Sequence, residues 1–413
     1  MKKPSRYFLY PLTLFIFACS DPASEQETSA QIIDTKNESA SSIPTSDFEG
    51  SFKPSDIKKA TDAAALWQLA HMTDFESYVP SFLHRTIEPR GWVQGTFYLG
   101  LSRWALATGN ENYLHYLREH GNGQNWQLGP RDFHADDHVI AQYYLHIYEE
   151  DKIQQQITPT LKVFDHILQN RPDSSLDFGP MGKYADLDYE HDCQKRWCWS
   201  DALFMSPPVW FHLSQLTGDE KYANYAHKEF IDVTDYLFDT NDNLFIRDSR
   251  FFERREVNGS KIYWSRGNGW VFAGLTKIMD TMTTDNPKFD YYAEIYKKMA
   301  HSLANKQASS GYWPVSLGAG EIYTANESSG TAFFVAGLAW GINQGLLDTD
   351  KFLPVVEKGW AALLKAQRAD GMLGYVQQIG YAPDEVSPDQ TQLYGMGAFL
   401  LAGTQMYQLA QTQ

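Results

Sequence analysis

From Trp92 to the C-terminus the chain repeats one arrangement of apolar and polar positions. Each copy opens on small or acidic residues, continues as an aromatic-rich apolar run, breaks at a turn and resumes as a second run. The copies read "GWVQGTFYLGLSRWALATGNENYLHYL", "ADDHVIAQYYLHIYEEDKIQQQI", "WSDALFMSPPVWFHLSQLTGDEKYANYA", "RGNGWVFAGLTKIMDTMTTDNPKFDYYAEIY", "ESSGTAFFVAGLAWGINQGLLDTDKFLPVV" and "YGMGAFLLAGTQMYQLA". Their starts lie roughly 40 residues apart at first and roughly 65 thereafter, which suits a helical hairpin plus a connecting loop. Apolar positions recur at 3.6-type intervals among good helix formers, so these runs are expected to be helices rather than strands. Near-continuous apolarity predicts that the first helix of each pair is buried on most sides, and the more charged second helix belongs outside. Six buried helices ringed by outer partners make an all-α fold, an (α/α)6 barrel. The sixth copy stops at the C-terminus, and "DAAALWQLAHMT" before Trp92 supplies its missing partner. "TGNENY" and "TGDEKY" read as turns into the second helices, with Thr or Asp as caps. A small β-hairpin insertion is expected within residues 243–263, with Asn258-Gly259 at its turn.

Such a ring gathers the N-termini of all inner helices at one end, where free N–H groups and partial positive charge attract anionic ligands. The polar residues that interrupt each copy fall there: Trp92, Asp136 and Asp137, Asp201, Arg266 and Asn268, Ser328 and Ser329, and Tyr394. The stretch "KIYWSRGNGWVFAGL" is the densest of these. Two tryptophans around an arginine and an asparagine suit one wall of a binding cup, and Gly267 and Gly269 let backbone approach a ligand closely.

Ahead of the repeats stands a targeting segment. "MKKPSR" is a basic n-region, "YFLYPLTLFIFA" is too short to span a bilayer, and Cys19 follows at once. Ile16-Phe17-Ala18-Cys19 is similar to a bacterial lipoprotein signal, so residues 1–18 are expected to be removed and Cys19 lipidated. Residues 19–52 are rich in Ser, Thr, Glu and Asp and read as a flexible linker. Residues 53–413 then form the barrel domain. This organisation predicts an exported protein, either an envelope lipoprotein at the outer membrane or cell surface or a periplasmic protein. A formal net charge of −16 excludes nucleic acid as a natural partner. The remaining cysteines, Cys193 and Cys198, either pair in an oxidising compartment or stay as thiols. With His191 they fall short of a four-ligand zinc site.

At these residues the chain resembles the unsaturated glycuronyl hydrolases, specifically the unsaturated rhamnogalacturonyl hydrolase group of glycoside hydrolase family 105, with family 88 as its close relative. "WSRGNGW", "WSDALFM" and "ADDHVIAQYY" carry the resemblance, supported by "GWVQGTFYLGL" and "ESSGTAFFVAGLAW". It covers roughly Ala64 to the C-terminus, and the family's (α/α)6 barrel agrees with the six repeats. The resemblance implies removal of a terminal Δ4,5-unsaturated uronic acid from lyase-generated oligosaccharides. An acid protonates C4, water adds at C5, and the resulting hemiketal collapses to release the next sugar.

That chemistry needs a carboxyl that is protonated first and then serves as base, hence one whose pKa is raised by burial or a nearby like charge. Asp201 matches the family's acid/base position and lies among Trp197, Trp199, Phe204 and Met205. On the residues alone it also reads as a helix cap, a role open to Ser200. Asp137 matches the second carboxylate, with Asp136 beside it as the alternative. Arg266 matches the substrate-contacting arginine, able to hold a carboxylate or sulfate bidentately. Trp92, Trp264 and Trp270 offer stacking faces for sugar rings, Asn268 belongs to the same motif, and Gln94, His134 and His138 would line the cup. One departure stands out. Where many family members carry a histidine, this chain reads "LFIRDSRFF", with Arg247, Asp248 and Arg250. Recognition of the uronate carboxylate or of the next sugar is therefore expected to differ, leaving ulvan or rhamnogalacturonan open as the polymer.

Two other readings use the same residues. An inverting glycosidase would employ two carboxylates on a saturated substrate. A non-catalytic glycan-binding lipoprotein would need the aromatics and the tether but no buried acid. No phosphate loop, haem motif or complete metal site occurs, so no cofactor or metal is expected. The partners expected are unsaturated oligosaccharides, with the membrane met only through the lipid anchor.

Overall fold

A computed structural model describes residues 52–73, 88–179 and 191–412. The expected signal segment, Cys19 and nearly all of the linker lie outside the described residues. Thirteen α-helices account for most of the described chain: α1 Pro54–Ala70, α2 Trp92–Thr108, α3 Glu111–Gly123, α4 Ile140–Asp151, α5 Gln154–Gln169, α6 Ala202–Met205, α7 Pro207–Thr217, α8 Glu220–Leu237, α9 Ser265–Met279, α10 Phe289–Asn305, α11 Ser328–Asn343, α12 Thr349–Ala366 and α13 Leu393–Thr412.

The inner ring runs α2, α4, the α6–α7 pair, α9, α11 and α13, and α13 returns to pack on α2. Each inner helix carries one outer partner: α3 on α2, α5 on α4, α8 on α7, α10 on α9, α12 on α11 and α1 on α13. The (α/α)6 barrel expected from the repeats is the architecture found, with the segment before Trp92 completing the sixth hairpin. Every residue of α11 from Ser328 to Ile342 is buried. Among the described residues no helix is long and apolar enough to cross a membrane. This all-round burial is that of a barrel interior. The outer helices keep an apolar stripe and turn charged faces to solvent.

Closure of the ring depends on backbone contact at one crossing. A Cβ added at Gly397 of α13 would lie 2.3 Å from the Thr96 carbonyl oxygen of α2. One added at Gly100 would lie 2.4 Å from that of Gly397. No side chain fits at either position.

Three local details differ from the sequence reading. In "TGNENY" and "TGDEKY" the glycines, Gly109 and Gly218, end the first helix in the left-handed conformation at φ 63° and 71°. Capping of the next helix falls to Asn110 and, as expected, to Asp219, whose side chains accept backbone N–H bonds, while the threonines belong to the preceding helices. The run "WSDALFMSPPVWFHL" is interrupted at Ser206, because Pro207 has no N–H to continue a helix but suits the first position of a new one. The paired strands are β1 Phe238–Asp239 and β2 Leu244–Phe245, antiparallel. Around Asn258-Gly259 the pairing is a single bridge, Arg255 to Lys261.

Candidate active site

Asp201 stands immediately before α6, at the end where the inner helices begin. The loop that delivers it is closed by a disulfide between Cys193 and Cys198, so the two cysteines pair. Trp197 within this ring adopts the left-handed conformation at φ 58°. The backbone N–H of Ser200 donates to the Arg247 carbonyl at 2.8 Å, and the Ser200 hydroxyl donates to Asp201 Oδ2 at 3.1 Å. The Asp201 side chain is buried, and Nε of Arg247 lies 3.6 Å from its Oδ2. Burial raises the pKa of this carboxyl above its ordinary value, against the pull of Arg247, Arg266 and the Ser200 hydrogen bond. Asp201 thus combines apolar surroundings with two nearby guanidinium groups.

The neighbouring pair Asp136 and Asp137 divides its work in a way that spacing alone did not show. Both lie in a 3-10 turn, Ala135–Asp137, just before α4. Asp137 is locked by Arg131: Oδ2 accepts the Arg131 backbone N–H at 2.8 Å and Nε at 3.1 Å, and Oδ1 accepts Nη2 at 2.6 Å. Its carboxyl packs against Gly129, where a Cβ would come within 2.5 Å of Asp137 Cγ. It therefore ties a loop together. Asp136 is the other carboxylate of the pair. Its side chain retains 21% of its surface. Burial pushes its carboxyl up to about 7, Arg131 pulls it down, and the charges of Asp137 and Asp201 push it up further. The charges of Asp201 and Arg247 both act on Asp136, and that of Arg247 acts on Asp201.

Several residues expected to touch the ligand are engaged within the protein. Arg266 is buried, with its guanidinium between the rings of Trp264 (4.4 Å) and Tyr394 (4.8 Å). Its Nη1 and Nη2 donate to the carbonyls of Gln377 and Gln378 at 2.9 and 3.0 Å. Both are committed to pinning the loop before α13, not to an open cup. Trp264 is equally buried, its indole N–H donating to Gln377 Oε1 at 2.8 Å. Trp270 lies inside the ring against Phe333 and Phe204, so neither tryptophan presents a free stacking face. Asn268 exchanges hydrogen bonds with the backbone of Phe245 and thereby fixes β2 to α9. His138 is buried, its Nδ1 with the Ser206 hydroxyl at 2.7 Å and its Nε2 with the Asp132 carbonyl at 2.8 Å. Burial depresses its pKa. It belongs to the core rather than the cup.

The remaining expected residues stay at the mouth. Trp92 is half-buried and stacks on Tyr394 at 5.1 Å. Gln94 is buried with its Oε1 lacking a hydrogen-bond partner. His134 Nδ1 accepts the Asp136 N–H at 3.3 Å, its Nε2 is 3.0 Å from Gln194 Nε2, and its ring lies against Trp199. His134 therefore sets the turn that carries Asp136.

One group escaped the sequence reading. Glu327, fully buried, caps α11 by accepting the N–H groups of Ser329 and Gly330 at 2.9 and 2.7 Å; a glutamate before "SSG" was its signal. Arg247, Asp248 and Arg250, the departure that the sequence singled out, form a second charged wall beside Asp201. Among the described residues no group of three or more His, Cys, Asp or Glu side chains is arranged to hold a metal ion.

The sequence model of glycosyl hydrolase family 88 matches residues 62–410. An unsaturated 3S-rhamnoglycuronyl hydrolase of Alteromonas sp. (strain LOR) is 40% identical over 402 residues, covering 96% of this chain and 95% of its own length. A protein of the same name from Formosa agariphila is 36% identical over 365 residues, 86% of this chain and 91% of its own. Among solved structures, a family 88 glycosyl hydrolase from Bacteroides vulgatus superposes with a TM-score of 0.72 at 26% identity, covering 86% of this chain and 99% of that one.

Proposed function

This chain belongs to glycosyl hydrolase family 88, and from that premise we propose that it removes the terminal Δ4,5-unsaturated uronic acid from oligosaccharides released by polysaccharide lyases. The names of its two curated relatives favour a 3-sulfated rhamnose as the next sugar, hence an ulvan-type polymer over rhamnogalacturonan. Asp201 delivers a proton to C4 of the conjugated double bond, leaving positive charge on C5 and the ring oxygen. Water adds to C5 and loses a proton to the Asp201 carboxylate. The C5 hemiketal then opens, its ring C5–O bond breaks, and C1 expels the next sugar as an alcohol. Asp136 keeps negative charge from accumulating on the pair: two interacting carboxyls in one buried site share a proton rather than ionise together. Trp92 on Tyr394 supplies the aromatic face for the sugar.

The observation that carries this reading is the juxtaposition of Asp136 and Asp201, both with raised pKa, at the shared end of the inner helices. Its test is the ultraviolet absorbance of the conjugated uronate in a panel of lyase products, which only hydration of the double bond removes. Asp201→Asn keeps size and polarity but cannot move a proton. Because both transfers use the same group, its kcat should fall at least about a thousandfold while substrate still binds. If Asp201→Asn keeps a tenth of the activity, or if products form from saturated substrates with the chromophore untouched, the reaction is a different one.

The same proposal places the protein in the cell envelope, anchored through Cys19. Cys19→Ala should release it into the soluble fraction with activity unchanged, since a multi-chain lipid anchor holds where a single chain does not. A wild-type protein found soluble with an unmodified N-terminus would overturn this placement.

A further inference from the structure

The departure at "LFIRDSRFF" places two guanidinium groups around one carboxylate next to the candidate acid. Asp248 is fully buried and is held by Arg250 through a complete fork: Nε to Oδ1 and Nη2 to Oδ2, both at 2.8 Å. Arg247 reaches the same Oδ2 with Nη1 alone, at 2.5 Å. Among the described residues no hydrogen bond engages the opposite edge of the Arg247 guanidinium, made of Nε and Nη2. Its Nε is buried without a partner, 3.6 Å from Asp201 Oδ2. A buried donor of this kind is costly to leave unmade, and the Nε–Nη2 edge matches the two oxygens of a carboxylate. Arg250 demonstrates that match on Asp248 two residues of chain away. The Nε of Arg266 is likewise buried without a hydrogen-bond partner among the described residues, but its Nη1 and Nη2 already donate to the carbonyls of Gln377 and Gln378.

We propose that the open edge of Arg247, aimed by Asp248 and Arg250, binds the C5 carboxylate of the unsaturated uronate and so sets C4 against Asp201. This rests on the function proposed above and names the residue that selects its substrate class, a 4,5-unsaturated uronate with a free carboxylate. The geometry suits the reaction. In the substrate the carboxylate is attached to C5, one bond from the carbon to be protonated, so its anchor must lie beside the acid. Arg247 does. Aromatic rings back the wall: Arg250 stacks on Phe178 at 3.7 Å and lies 5.5 Å from Tyr381, and Arg247 lies 5.9 Å from the centre of the same Phe178 ring. Asp248 thus offsets one positive charge and leaves the other for the ligand. Filling the fork brings the substrate's negative charge next to Asp201 and occupies its strongest cationic neighbour, which favours the protonated acid that the first step needs.

The test compares each unsaturated oligosaccharide with its uronate methyl ester, which keeps the double bond and loses the anion. Wild-type enzyme should prefer the acid, and the ratio of kcat/KM for acid to ester is the readout, because the ester's own change in reactivity cancels between variants. Arg247→Met should lower kcat/KM about a hundredfold more on the acid than on the ester, mostly through KM, so that the preference collapses. Arg247→Lys retains the charge beside Asp201 and Asp248 but not the fork, and should still lose at least about tenfold of the preference; it serves if the methionine variant does not fold. Acid and ester losing activity equally would show that Arg247 acts through Asp201 or through the fold, and would overturn the assignment. So would a loss that follows the presence of sulfate on the next sugar instead of the uronate charge. Wild-type enzyme inactive on every unsaturated substrate would overturn the proposed function and this assignment together, so the two failures are distinct.

Discussion

Two adjacent aspartates illustrate how little residue type decides at the smallest scale. Asp137 accepts three hydrogen bonds from Arg131 and braces a loop. Asp136, one residue earlier, has its carboxyl raised to about 7, chiefly by burial. The consequence is a pH-dependent stability with a definite sign. In the unfolded chain this carboxyl ionises near its ordinary 3.8, and in the folded protein near 7. Between those values the folded state holds a proton that the unfolded state has lost, so the contribution of Asp136 to stability declines as pH rises through the window. Asp136→Asn removes that cost. Its melting temperature relative to wild type should therefore be higher at pH 8 than at pH 5, read by calorimetry at both. An offset independent of pH would mean that Asp136 is an ordinary solvated carboxylate.

Elements are positioned by what joins them as much as by what they contain. The loop before α6 carries Asp201, and the Cys193–Cys198 disulfide shortens the path that it can sample. Closing so small a ring restricts the unfolded chain by about 2 kcal/mol in the loop-entropy account. Replacing both cysteines by serine should lower stability by about that amount in denaturant titration. Because Asp201 follows three residues after Cys198, kcat should fall as well, while the helices of the ring stay intact by circular dichroism. A double variant with full activity and unchanged stability would show that the loop is held by its hydrogen bond to Arg247 alone. The same logic governs α9: Asn268 links it to β2 and Arg266 links it to the loop before α13, so "WSRGNGW" joins three parts of the chain.

Across the whole barrel the two ends divide labour. At the end opposite the candidate site, where the inner helices finish, Asp280 accepts the Trp340 indole N–H at 2.7 Å and lies 3.3 Å from Arg103 and 3.5 Å from Lys277. It stitches α2, α9 and α11 together. Burial holds the Lys277 ammonium down at about 8, and Arg103 lowers it further against the pull of Asp280. Asp280→Asn leaves these cations without that counter-charge and should cost about 2–3 kcal/mol near pH 7. The loss should shrink above pH 8, where Lys277 is neutral in the folded protein. KM and kcat should not change, since the site lies at the other end. A large change in KM with no change in melting would contradict this division.

Helical repeats, their number and the end at which polar residues gather were legible in the sequence, because periodicity and burial are properties of consecutive residues. Asp201 was legible for the same reason: its apolar neighbours in sequence are also its neighbours in space. How the adjacent aspartates and the arginines share their hydrogen bonds was not. Asp137 is held because Arg131 and Gly129 close a turn around it. Nη1 and Nη2 of Arg266 are held by the Gln377 and Gln378 carbonyls, more than a hundred residues away in the chain. Trp264, Trp270, Asn268 and His138 look like ligand groups in a linear motif for a related reason, since aromatic and amide side chains serve equally well to bind a sugar or to fasten two segments. The sequence by itself determined a ring of helix starts with acids, arginines and aromatics around it. Only the tertiary structure decided which of those side chains were consumed in holding the ring together, because hydrogen-bond partners distant in sequence leave no periodic trace.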